Sequence, residues 1–112
     1  MNAKRYCTRI WAPTLLCFAG AALFALPARS QTGEALYKAK CAACHGADGK
    51  GQTATGKAMK AGDFAAPEVQ KTSDADLGAI ISNGKDKMPA YGKSLKADQI
   101  QSLVAFIRSF KN

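Results

Sequence analysis

The pattern of apolar and polar positions predicts three helices, two of them by apolar residues recurring at helical spacing. From about Ala97 to Phe110, Ile100, Leu103, Val104 and Ile107 fall on one face, with Phe106 and Phe110 widening the stripe. An earlier helix follows Ser73: Ser73 and Asp76 stand in capping-box relation, Leu77, Ile80 and Ile81 repeat at helical intervals, and Asn83-Gly84 supplies a left-handed stop. A shorter helix is predicted over Gly33 to Lys40 and runs directly into a pair of cysteines. Between the first two helices, Gly46, Gly49, Gly51, Gly56 and Gly62 disfavour regular structure and permit close backbone approach, so this stretch reads as a loop wrapped around something. Alternating β-branched runs are missing, and the expected fold class is all-α.

The first thirty residues break this pattern. Lys4, Arg5 and Arg9 form a basic start, the run from Ile10 to Leu26 carries no charge, and Ala28-Arg29-Ser30 places small residues at a cleavage site. Residues 1–30 are therefore read as an export signal cut after Ser30, with residues 31–112 forming one domain in the periplasm. The competing reading is a retained anchor, since about 17 apolar residues lie at the lower edge of a membrane span. Removing Lys4, Arg5, Arg9 and Arg29 from the 16 bases leaves 12 against 8 acids, a net charge of +4 instead of +8. Those charges are interleaved with Asp and Gly, which excludes a nucleic-acid partner. A domain of this size buries little surface, so a staple, a metal or a large apolar cofactor is expected to complete its core.

Cys7 and Cys17 fall within the export signal, leaving Cys41 and Cys44. They stand in the run Cys41-Ala42-Ala43-Cys44-His45, where two thiols on one side of a near-helical turn can form thioethers with two vinyl groups of one porphyrin while His45, the only histidine, falls beneath the iron. A structural zinc site wants four ligands where Cys41, Cys44 and His45 offer three, and a dithiol oxidoreductase wants a βαβ context. Covalent attachment of one haem c is thus the favoured reading. Met59 and Met88 are the candidates for the second axial position. Met88 is preferred because it follows a helix stop and precedes Pro89, which fixes an extended path, whereas Met59 sits in the glycine-rich stretch. Either methionine could instead be adaptable core packing.

Together these segments resemble class I monohaem cytochromes c, within the small bacterial and photosynthetic branch typified by cytochromes c6 and c551. Gly33-Glu-Ala-Leu-Tyr37 and Cys41 through Gly51 resemble the family's opening, Asn83 through Gly92 its methionine loop, and Ile100 to Phe110 its closing helix. The resemblance implies that the first and last helices pack together around the haem, with Gly33 and Tyr37 meeting Leu103 and Phe106. It implies a one-electron carrier, not an enzyme, with His45 and Met88 both held on the iron. Expected partners are redox proteins, either membrane respiratory complexes or periplasmic oxidoreductases, met by a monomer. Phe64, Ile80, Ile81, Tyr91 and Val104 are expected to wall the haem, and Lys50, Lys57, Lys85, Lys87 and Lys93 to face an acidic partner. Three features depart from the pattern. Trp11, the only tryptophan, lies in the export signal; Ile80 stands where photosynthetic relatives often have glutamine; and residues 46–66 lack the proline whose carbonyl usually accepts from the proximal histidine, so another carbonyl is expected to orient His45. The rival functions are a haem-based ligand binder or weak peroxidase with an open iron, and a fixed cytochrome subunit of a larger dehydrogenase or oxidase.

Overall fold

The computed structural model describes residues 31–111, so the expected export signal over residues 1–30 lies outside the described residues. Six helices follow one another: α1 (Gly33–Lys40), α2 (Ala42–His45), α3 (Ala54–Met59), α4 (Pro67–Lys71), α5 (Asp74–Asn83) and α6 (Ala97–Arg108). Among the described residues the only β-pairing is one isolated antiparallel bridge between Lys85 and Met88, and the fold is all-α as expected. No helix among them is long and apolar enough to cross a membrane.

Capping explains where the helices begin. The Thr32 hydroxyl accepts from the Ala35 N–H, the Ser73 hydroxyl from the Asp76 N–H at 3.0 Å, and the Gln99 side-chain oxygen from the Lys96 N–H at 2.8 Å. Helix α5 stops at Gly84 (φ 74°, ψ 169°), a positive-φ conformation more extended than the left-handed stop expected from Asn83-Gly84. Helix α6 ends at Arg108, and Phe110 lies in the turn beyond it.

The stretch read as a loop is the main correction. Residues Ala54–Met59 form α3, capped by Thr53, whose hydroxyl accepts from the Gly56 N–H at 2.9 Å. Gly56 is helical because it lets two backbones touch: a Cβ there would collide with the Cys44 carbonyl oxygen. Helix α4 was also not expected; Pro67 opens its first turn, where a missing N–H costs nothing.

The core is built where α1, α5 and α6 meet. Leu36, Tyr37, Leu77, Ile81, Leu95, Ile100, Leu103, Val104 and Ile107 are buried, which includes every member of the predicted α6 stripe except the half-buried Phe106 and Phe110. At the α1–α6 crossing, Gly33 lies against the Ser102 carbonyl and the Phe106 Cβ, and Tyr37 packs on Phe106 with ring centroids 5.0 Å apart. The implied contact between the end helices is present, with Ser102 carrying the backbone approach. Arg108 fastens α4 to α6 by donating to the carbonyls of Val69 and Gln70 at 3.2 and 3.1 Å and to that of Thr72, while pairing with Asp74 at 2.8 Å.

Candidate cofactor site

Cys41 is the hinge of the site. It ends α1, its N–H donating to the Tyr37 carbonyl at 2.9 Å, and it begins α2, its carbonyl accepting from the N–H groups of Cys44 and His45 at 3.2 and 2.9 Å. Both thiols are thereby carried on one short turn, half-buried and free of any disulfide. Burial pushes the Cys41 thiol pKa up, with the neighbouring Lys40 opposing and Cys44 adding to the shift. Three neighbours fix α2 from outside. The Tyr37 hydroxyl donates to the Gly46 carbonyl at 2.6 Å, the Thr53 hydroxyl donates to the carbonyls of Ala43 and Cys44 at 2.9 and 3.0 Å, and α3 abuts Cys44 through Gly56.

His45 is half-buried, and burial lowers its pKa, which favours the neutral imidazole a metal needs. Its two nitrogens differ. Nδ1 is enclosed and has no hydrogen-bond partner, whereas Nε2 is not among the enclosed unpaired atoms and makes no hydrogen bond, which leaves it open to a ligand. The carbonyl expected to orient His45 is therefore not there; the ring of Phe64 lies against the imidazole instead, centroids 4.4 Å apart and planes 21° from parallel.

The methionine segment is tied to this turn through Tyr91. Met88 is half-buried and packed against the core, its N–H donating to the Lys85 carbonyl at 2.8 Å. The Tyr91 hydroxyl donates to the Lys40 carbonyl at 3.2 Å, beside Cys41, and its pKa is raised by burial and by the two nearby thiols. Met59, by contrast, is 45% exposed at the end of α3. Of the predicted wall, Phe64, Ile81, Tyr91 and Val104 are in or against the core and Ile80 is half-buried; Val104 also lines a groove of about 770 Å³ between α5 and α6 that includes neither cysteine, His45 nor Met88. Lys50, Lys57, Lys85, Lys87 and Lys93 are all exposed, and Lys87 also donates to the Ala58 carbonyl at 3.3 Å. The hydroxyl of Tyr91, the Thr53 cap and the Phe64 stack were not foreseen; only Thr53, a cap residue ahead of an Ala-Thr-Gly-Lys-Ala run, left a local signal.

These residues fit a covalent haem better than a bare metal ion. No three His, Cys, Asp or Glu side chains among the described residues are grouped to hold a metal, so Cys41, Cys44 and His45 do not form a zinc-type cluster although they are near neighbours in sequence. Two free thiols on one turn, an open Nε2 and an apolar surround are what a porphyrin attached through its edge requires.

Fold and site together define a small c-type cytochrome. Residues 28–107 match the family described as cytochrome c oxidase, cbb3-type, subunit III. The chain is 36% identical over 86 residues to cytochrome c6 of Rippkaea orientalis, covering 74% of this chain and 72% of that one. It is 40% identical over 81 residues to the cbb3-type oxidase subunit CcoP of Rubrivivax gelatinosus, but those residues are 71% of this chain and only 25% of that one. Among solved structures, the KustC0563 c-type cytochrome superposes with a TM-score of 0.68 at 35% identity, covering 72% of this chain and 99% of that chain. The chain belongs to the class I monohaem c-type cytochromes, electron carriers with one covalently bound haem c.

Proposed function

We propose that this protein is a periplasmic one-electron carrier in which Cys41 and Cys44 bind the haem through thioethers and His45 Nε2 and Met88 Sδ are the axial ligands. When bound, the iron supplies a ferrous/ferric couple, and thioether ligation favours the ferrous state. The protein's own residues supply fixity. The Cys41 hinge holds both thiols on one turn, and burial lowers the His45 pKa, which favours the neutral imidazole. The bridge to Lys85 fixes the backbone at Met88, and the Tyr91 bond to Lys40 ties the same segment to the residue before Cys41, which supports Met88 as the second ligand. Contrasting burial of the two methionines carries the ligand choice: Met88 packs inward and Met59 faces solvent.

The test is the optical spectrum of the ferric protein. The weak long-wavelength sulfur-to-iron band is expected in the native protein and in Met59→Ala, and lost in Met88→Ala. A native high-spin spectrum would favour the ligand-binding or peroxidase function, and a band surviving Met88→Ala would remove Met88 from the iron. Export rests on Lys4, Arg5, Arg9 and the uncharged run behind them.

The partial likeness to CcoP raises a fixed oxidase subunit as the second reading. Coverage of most of a cytochrome c6 favours the free monomeric carrier, docking through Lys50, Lys57, Lys85 and Lys93 on an acidic redox partner such as a membrane respiratory complex or a periplasmic oxidoreductase. Its electron-transfer rate with that partner is expected to fall steeply with added salt. A salt-independent rate would remove the lysine surface, and stable co-purification with a membrane oxidase would establish the subunit.

A further inference from the structure

A metal-bound histidine almost always donates its second ring N–H to an oxygen, which fixes the ring and makes it a stronger donor to the metal. His45 does not do so here: Nδ1 is enclosed and unpaired, and the flat contact on the imidazole is Phe64 at 4.4 Å and 21°. Resting on the reading of His45 as axial ligand, we propose that Phe64 is the positioning residue of this centre, orienting the proximal imidazole by stacking and leaving its Nδ1–H without an acceptor.

Phe64 is itself held from every side, as a positioning residue must be. Its N–H donates to the Gly49 carbonyl at 2.9 Å, and its carbonyl accepts from the Gln70 side-chain amide at 2.6 Å. The same amide donates to the Ile107 carbonyl of α6 at 3.2 Å. Its ring meets Tyr37 edge-on at 6.1 Å and Phe110 at 5.9 Å. The imidazole therefore rests on a plate fastened to the α1–α6 crossing. The chemical consequence differs from that of a hydrogen bond. A carbonyl acceptor would push electron density into the ring and stabilise ferric iron, whereas an aromatic face fixes direction without doing so. The centre is thus biased toward the ferrous state by what Nδ1 lacks.

The test uses the haem-loaded protein with nitrogen-15 in His45. In the ferrous state the Nδ1–H signal is expected with no coupling across a hydrogen bond to any backbone carbonyl carbon; such a coupling would overturn the proposal. Phe64→Leu removes the flat face at similar bulk, and Phe64→Tyr keeps it. Phe64→Leu, leaving the ring free to turn toward water, is expected to speed Nδ1–H exchange by about tenfold or more, the lower end of effects seen when partners of metal-bound histidines are removed. It is also expected to lower the ferrous-to-ferric ratio at fixed ambient potential about threefold, roughly 28 mV at 59 mV per tenfold for one electron. Phe64→Tyr is expected to keep both near native. A native-like Phe64→Leu, or a Phe64→Tyr as altered as Phe64→Leu, overturns the assignment. Failure of His45 as ligand is distinguishable, because hyperfine-shifted His45 ring signals would then be missing from the unmutated ferric protein.

Discussion

The two sides of the site are built differently. On the histidine side, α2 and its C-cap Gly46 are clamped by the Tyr37 hydroxyl on the Gly46 carbonyl, the Thr53 hydroxyl on the carbonyls of Ala43 and Cys44, the backbone of α3 at Gly56 against Cys44, and the Phe64 ring on His45. On the methionine side, the segment from Lys85 to Gly92 is an excursion tied at a few points. It has its own Lys85–Met88 bridge, two backbone bonds from Tyr91 and Gly92 to the carbonyls of Ile81 and Ser82, and single side-chain bonds from Lys87 and Tyr91 across to the attachment half. Asp86 adopts φ 50° to complete the excursion, a conformation an L-residue adopts only when its surroundings demand it. The histidine side is thus tied into the fold, while the methionine segment, which carries the proposed ligand Met88, can open locally and leave the rest in place.

The largest effects should therefore come from the histidine side and appear as global instability. Gly56→Ala drives a methyl group into the Cys44 carbonyl, with Gly51 backbone close on another side, so neither neighbour can yield as a side chain would. A loss of about 3 kcal/mol, the upper end of overpacking costs, is expected in denaturant unfolding. A loss below about 1 kcal/mol would show that α3 rides loosely on α2 and would erase the contrast between the two sides. Next comes Tyr37→Phe, which leaves the ring stack on Phe106 intact and removes the hydroxyl's bond to the buried Gly46 carbonyl, which keeps its bond from the Gly49 N–H at 3.1 Å. The expected loss is about 1 kcal/mol, again in global unfolding.

Much of this division was legible in the chain. Thioether attachment needs two thiols and a histidine within one turn, a local requirement that five consecutive residues express, and α5 and α6 announce themselves by periodicity and caps. Helix α3 was hidden because the glycine that lets it approach Cys44 is also the residue that argues against a helix. Helix α4 is too short for periodicity to register. The pairing of Phe64 with His45 had no local signal at all: it depends on Gln70 and Ile107 delivering Phe64 from distant parts of the chain. What the missing proline announced was a change in how His45 is held, but not which group took over.

Tyr91→Phe should have the smallest effect and the most informative one. Its hydroxyl bond to Lys40 is 3.2 Å long on a half-buried ring, so its loss is worth about 0.5 to 1 kcal/mol. Tyr91 also keeps its backbone bond to Ile81 and its ring packing on the core, which leaves the global fold little changed. The loss should fall on the local equilibrium between closed and open methionine segments. In the proposed ligation added imidazole can reach the iron only when Met88 has left it, so the apparent imidazole affinity of the ferric protein should rise about two- to fivefold, the same free energy expressed as a population. Global unfolding should meanwhile lose no more than that same free energy. If Tyr91→Phe instead lowers global stability by the full amount and leaves imidazole binding unchanged, the methionine segment opens only with the whole molecule, and the two sides of the site form one cooperative unit.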